Sequence, residues 1–107
     1  MRWAARRDGN DGIIAEALRA AGFGVHDFAK AGGGIPDRLV TRPLPDNKPW
    51  ICWVEIKTEK GRLRFGQQEF RAVFEPRGEF YVARDPEETV RELMNRYQAA
   101  IRPELAL

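Results

Sequence analysis

Asp37 follows a proline in the stretch GGGIPDRLV (residues 32–40). Further along, Glu55 and Lys57 interrupt the apolar run WICWVEIKT (residues 50–58). An unpaired charge in a buried strand is costly, so two such breaks close together point to a site. Side chains alternate faces along a strand. Glu55 and Lys57 therefore share a face with Ile51 and Trp53, while Trp50, Cys52, Val54 and Ile56 point the other way. The Pro-rich segment PLPDNKP (residues 43–49) lies midway between Asp37 and Glu55. If it folds the two strands into an antiparallel pair, Asp37 meets the end where Glu55 and Lys57 emerge. Two carboxylates, with water and a backbone carbonyl, suit a hard cation such as Mg²⁺ or Mn²⁺. A phosphate ester is the matching substrate, because the metal acidifies a bound water and offsets developing charge. A nearby lysine can orient or deprotonate that water, or stabilise the transition state.

Asp11 is a candidate third acid. It precedes Ile14 by three residues and Leu18 by seven, which puts it at the N-terminal end of an inward helix face. Glu16 falls on another face and reads as solvated. Each of these residues also has a plainer reading. Asp11 can be a capping acid, and Glu55 with Lys57 can be a salt-bridged strand face. Gly32–Gly34 lack the lysine and spacing of a phosphate-binding loop. They read better as a close-approach bend ahead of Asp37.

The elements that must hold these residues are legible in outline. RDGNDGIIAEALRAAG (residues 7–22) opens with cap chemistry at Asp8 or Asn10, carries Ile14, Leu18 and Ala21 at helical spacing, and ends at Gly22. FGVHDF, PDRLVTR and WICWVEIKT read as three strands. QQEFRAVFE reads as a short helix with Phe70, Val73 and Phe74 on one face. FYVAR (residues 80–84) reads as a fourth strand. In DPEETVRELMNRYQAAI, Asp85 caps, Pro86 takes the first position and Glu88 closes a capping box. Its stripe of Val90, Leu93, Met94, Tyr97 and Ile101 belongs to a core. The expected fold is α/β, a small mixed β-sheet flanked by helices in α-β-β-β-α-β-α order.

At 107 residues the chain suits one domain spanning residues 1–107. A single cysteine, Cys52, excludes an internal disulfide and a thiolate zinc cluster, and a single histidine, His26, excludes two-histidine metal motifs. The start of the chain lacks a signal-peptide pattern, and no apolar run is long enough to span a bilayer. The expectation is a soluble, intracellular, cytoplasmic protein with no membrane role. The net charge of +2 permits a nucleic-acid partner without requiring one. Local clusters say more. Arg6 and Arg7 sit near the start, and Lys60, Arg62 and Arg64 follow the Glu55–Lys57 strand, placed to contact a nucleic-acid backbone without reading bases. Trp3 and Phe65 suit base stacking or burial equally.

Pro36-Asp37 followed by Glu55-Ile56-Lys57 resembles the PD-(D/E)XK nuclease superfamily, and the element order is similar to its αβββαβ core with one helix added. RRDGND, GGGIPD, WVEIKTEKGRL and the following Gln67, in that order, resemble the small stand-alone VRR-NUC nucleases, often encoded by phages. The resemblance runs from about Arg6 to Arg84 and implies a restriction-endonuclease-like core. It implies that Asp37, Glu55 and the backbone carbonyl of Ile56 hold one or two Mg²⁺ or Mn²⁺ ions. It makes Lys57 the catalytic lysine and Gln67 an assistant. Asp11 maps to a helix acid that is usually glutamate, so a water-bridged metal contact suits its shorter side chain. Phe70 stands where the family often has tryptophan, in a packing role. The implied activity is hydrolysis of DNA phosphodiester bonds with a 5′-phosphate product. Similarity to Holliday-junction resolvases implies a homodimer selective for branched or flapped DNA. The competing expectation is a nucleic-acid-binding module of the same fold that is catalytically silent or needs a partner protein. RNA also stays open as a substrate.

Overall fold

The computed structural model describes residues 11–58 and 62–102. The capping residues Asp8 and Asn10, together with Arg6, Arg7 and Lys60, lie outside the described residues. The elements are α1 (Asp11–Ala20), β1 (Gly24–Asp27), β2 (Arg38–Pro43), β3 (Pro49–Ile56), α2 (Phe65–Phe74), a single 3-10 turn (Glu75–Arg77), β4 (Phe80–Ala83) and α3 (Pro86–Ile101). Together they form a small mixed α/β fold with one four-stranded sheet in the order β1-β2-β3-β4.

β1, β2 and β3 form an antiparallel meander, and β4 returns parallel to β3. A parallel return needs a crossover connection, which α2 supplies. The β2–β3 hairpin pairs Arg38 with Val54 and Pro43 with Pro49. Its turn is closed by the Leu44 N–H donating to the Lys48 carbonyl at 2.9 Å. Asn47 takes a left-handed conformation there (φ 70°), which asparagine tolerates better than most residues.

The sheet is covered on both faces. On one face, Val40, Cys52, Val54, Ile56 and Ala83 pack with Ile14 and Leu18 of α1 and Leu93 and Tyr97 of α3. Phe23, Trp50 and Tyr97 join there ring to ring, with Phe23–Trp50 centroids at 5.7 Å and Trp50–Tyr97 at 5.8 Å. α1 ends at Gly22 (φ 99°), and the Phe23 N–H reaches back to the Leu18 carbonyl at 3.1 Å. This is the hydrogen bond that a left-handed helix cap makes available. α3 starts as its sequence suggests, with the Asp85 carboxylate accepting from the Glu88 N–H at 2.9 Å. The opposite face carries a second aromatic group. Trp53 meets Phe28 and Phe70, each at 5.3 Å, beneath α2.

Most boundaries differ from the sequence reading by a residue or two, and three of the shifts have a local reason. The second strand starts at Arg38 rather than Pro36, because the Asp37 N–H is given to a side chain, Glu55 Oε1 at 3.3 Å. The third strand ends at Ile56, although the Lys57 N–H still bonds the Ala83 carbonyl of β4 at 3.0 Å. α2 begins at Phe65, two residues earlier than its apolar pattern indicates, because the Gln67 side chain accepts the Arg64 N–H at 2.9 Å. Among the described residues no helix is long and apolar enough to cross a membrane.

Candidate active site

The hairpin register, extended one step past Arg38–Val54, sets Asp37 opposite Glu55. Where the backbone ladder stops, side chains continue it. Asp37 Oδ2 accepts the Ile56 N–H at 3.2 Å, and Glu55 Oε1 accepts the Asp37 N–H. Each carboxylate is thus fixed by the main chain of the other's strand. Glu55 Oε2 accepts from Gln67 Nε2 at 2.7 Å and lies 3.4 Å from Lys57 Nζ. Asp37, Glu55, Lys57 and Gln67 therefore form one cluster at the carboxyl end of β3.

Burial differs across the cluster in a useful way. Glu55 is 2% exposed and Gln67 5%, while the Lys57 side chain is 16% exposed and sits at the rim. Burial, then repulsion from Asp37, push the Glu55 carboxyl up to about 7, against the opposing pull of Lys57. The Asp37 carboxyl is also raised, chiefly by burial, with the Ile56 N–H opposing and the Asp11 charge adding to the rise. A buried carboxylate raised further by the charge of a second one favours either a shared proton or a bound cation.

The approach to Asp37 is built from glycine. Gly32, Gly33 and Gly34 all have positive φ, at 71°, 64° and 84°. Gly34 also lies directly against the first turn of α2, where a Cβ would fall 2.6 Å from the Gly66 carbonyl. This backbone-to-backbone contact sets the loop beside the helix that delivers Gln67. The bend is therefore a close approach, and glycine is required at Gly34 on both counts.

Asp11 is buried at the N-terminus of α1, as its spacing indicates. Its carboxylate is engaged by Arg38, with Nε donating to Oδ1 at 3.1 Å and Nη2 to Oδ2 at 2.5 Å. A two-pronged pair of this kind is strong and geometrically fixed. Asp11 therefore acts on Asp37 through its charge and through the Arg38 backbone, which directly follows Asp37. The sequence reading missed Arg38. A signal was present, because Arg38 shares strand parity with Val40 and so faces the core, where a guanidinium needs an acid.

Among the described residues no three His, Cys, Asp or Glu side chains gather as a metal-holding group. The donors at hand are two carboxylates and, on the same strand edge as the Ile56 N–H, the Ile56 carbonyl. In an antiparallel ladder a residue's N–H and C=O face the same neighbour. That set fits a hard cation that keeps several waters, as Mg²⁺ does. Of the basic residues expected to contact nucleic acid, Arg62 and Arg64 are exposed on the segment leading into α2. Phe65 is 74% exposed, and Phe70 packs on Trp53. No family model, curated protein or solved structure matches this chain.

Proposed function

We propose that the chain is a metal-dependent nuclease of the PD-(D/E)XK kind, related to the stand-alone VRR-NUC nucleases, that hydrolyses DNA phosphodiester bonds. The observation that carries the reading is the convergence of Asp37, Glu55, Lys57 and Gln67 at the end of one strand. The antiparallel meander followed by a parallel fourth strand supports a restriction-endonuclease-like core.

Asp37, Glu55 and the Ile56 carbonyl would hold one or two Mg²⁺ or Mn²⁺ ions. When bound, such an ion supplies positive charge to the phosphate oxygens and makes water more acidic. The chain's own residues do the rest. Gln67 fixes the rotamer of Glu55 through its amide, whose other end is held by the Arg64 N–H. Lys57, at the rim, orients the attacking water or offsets charge developing on the phosphate. Water bonds to phosphorus as the bond to the 3′ oxygen breaks. That oxygen takes a proton, leaving a 5′-phosphate. Arg38 holds Asp11 behind Asp37, so Asp11 tunes the site rather than binding metal directly. A homodimer would bring two such sites to the two strands of branched or flapped DNA.

A second reading has its own observation. With Asp11 committed to Arg38 and no third acid gathered among the described residues, the chain would be a nucleic-acid-binding module that is silent alone or needs a partner protein. A metal-by-substrate panel separates the two, using EDTA, Mg²⁺ or Mn²⁺ with linear, single-stranded, flapped and four-way DNA and with RNA. Metal-dependent cutting is expected. Lys57→Ala should lower it about a hundredfold or more while the chain stays folded by circular dichroism. Cutting that persists in EDTA or in Lys57→Ala would sink the nuclease mechanism. DNA binding without cutting under all metals would favour the module.

A further inference from the structure

An open groove of about 450 Å³ runs between α2 and β4, lined by Arg62, Leu63, Gln68, Arg71, Val82 and Arg84. Among the described residues its walls hold three guanidinium groups and no carboxylate. β4 is the last strand of the sheet, so the groove lies along that edge. Its floor adjoins the strand that carries Glu55. Val82 is the register partner of Glu55, and paired strands lie about 4.8 Å apart with partners on the same face. Gln68 directly follows Gln67 in α2. The groove and the carboxylate pair are therefore neighbours on one side of the sheet.

The groove is held in shape. Gln68 Nε2 donates to the Leu63 carbonyl at 3.1 Å, tying α2 to the segment before it. Arg84 Nη1 donates to the Thr58 carbonyl at 2.5 Å, which fixes the far wall. Arg71 gives its Nε to Glu75 at 2.8 Å, in a half-exposed pair one helical turn apart. Such a pair is weak in water and readily traded for a stronger anion. Guanidinium groups match phosphate in particular, because their forked N–H donors meet two of its oxygens at once. A polyanion also needs such help here, since the adjoining site presents two carboxylates.

We infer that this groove binds a backbone phosphate of a nucleic-acid strand whose neighbouring phosphate occupies the Asp37–Glu55 site. The identity of that neighbouring phosphate rests on the nuclease reading, while the groove's own affinity for a strand does not. The inference adds Arg71 and Arg84 to the contact surface and sets the path of the strand, across the carboxyl end of β3 and out over the β4 edge.

The test is equilibrium binding of the full chain to fluorescent single-stranded and duplex DNA in EDTA, where no cutting occurs, across a salt series. Arg71→Gln and the double variant Arg71→Gln/Arg84→Gln probe the groove. Arg91→Gln, in α3 and outside it, is the control, and melting curves confirm that all variants fold. The double variant should bind about tenfold or more weakly. On duplex, its plot of log affinity against log salt should be shallower by about 1 for each phosphate no longer neutralised. Arg91→Gln should match the parent. Equal affinity and slope for parent and both groove variants would overturn the inference. So would binding that depends on a terminal phosphate, tested with oligonucleotides with and without one, or full competition by millimolar inorganic phosphate. Loss of binding in the groove variants of a chain that never cuts DNA would leave the groove standing and the nuclease reading refuted.

Discussion

The paired carboxylates make the metal-free protein sensitive to pH in a direction opposite to most acid-rich sites. An acid whose folded value is raised binds more protons in the native than in the unfolded state, so stability falls as pH rises between the two values. For Glu55 that window runs from the ordinary 4.5 up to about 7. At about 1.4 kcal/mol per unit, the loss between pH 5 and pH 8 approaches roughly 3 kcal/mol. Asp37 is raised by the same first cause, burial, and its charge adds to the rise of Glu55, so the figure belongs to the pair. Glu55→Gln keeps the shape and removes the charge. Its amide NH2 cannot accept from Asp37 or Gln67, whereas the hydroxyl oxygen of a neutral acid can, so the variant should be less stable than the parent at pH 5. Urea unfolding in EDTA at pH 5, 6, 7 and 8 then has a clear expected form. The parent weakens with pH, and the stability difference swings by roughly 3 kcal/mol toward Glu55→Gln by pH 8. Mg²⁺ at a hundred times its dissociation constant should restore about 2.7 kcal/mol to the parent at pH 8 and nothing to the variant. Parallel pH curves for parent and variant in EDTA would refute the shared-proton reasoning, and an equal Mg²⁺ effect on both would place the ion elsewhere.

Three further outcomes follow from named contacts. Gly34→Ala meets both a left-handed backbone and the Gly66 carbonyl, so it should cost more than about 2 kcal/mol. Gly33→Ala meets open space and should cost about 1–2 kcal/mol from its φ alone, so equal losses by thermal unfolding would contradict the close approach. Removing one half of the buried pair, as in Asp11→Asn or Arg38→Met, should cost roughly 3–5 kcal/mol, with much of it recovered in Asp11→Leu/Arg38→Met; additive losses would count against the pairing. The Cys52 thiol, buried and pushed up to about 12, should resist a thiol reagent at pH 8 until the protein is unfolded, and rapid labelling of the native chain would contradict its burial.

The nearness of Asp37 to Glu55 was legible because it depends only on strand alternation and on a turn placed midway between them. The helix cap at Asp85 was legible for the same kind of reason, since every residue it needs lies within one turn. What crosses between elements was harder to see. Arg38 and Asp11 meet only when α1 packs on the sheet, and nothing local to either residue names the other. The contact of Gly34 with Gly66 likewise joins two segments far apart in sequence, so the triple glycine read as a bend without its partner. The early start of α2 escaped because its cap is the Gln67 side chain, which at the same time grips Glu55. Nothing local marks Arg71 and Arg84, which only the crossover sets on opposite walls of one groove.

Gln67 is the one side chain that α2 buries. The helix is otherwise attached by ring edges and by residues half open to solvent. Undocking α2 would part the rings of Phe70 and Phe74 from Trp53, and it breaks the Gln67–Glu55 bond at the outset. Local opening of this kind lies below global unfolding on the free-energy scale of native fluctuations. Amide hydrogen exchange should run ahead in α2 while β2 and β3 stay protected. Assembly of the site and docking of the helix are then a single reversible event, one that proceeds without unfolding the rest of the protein.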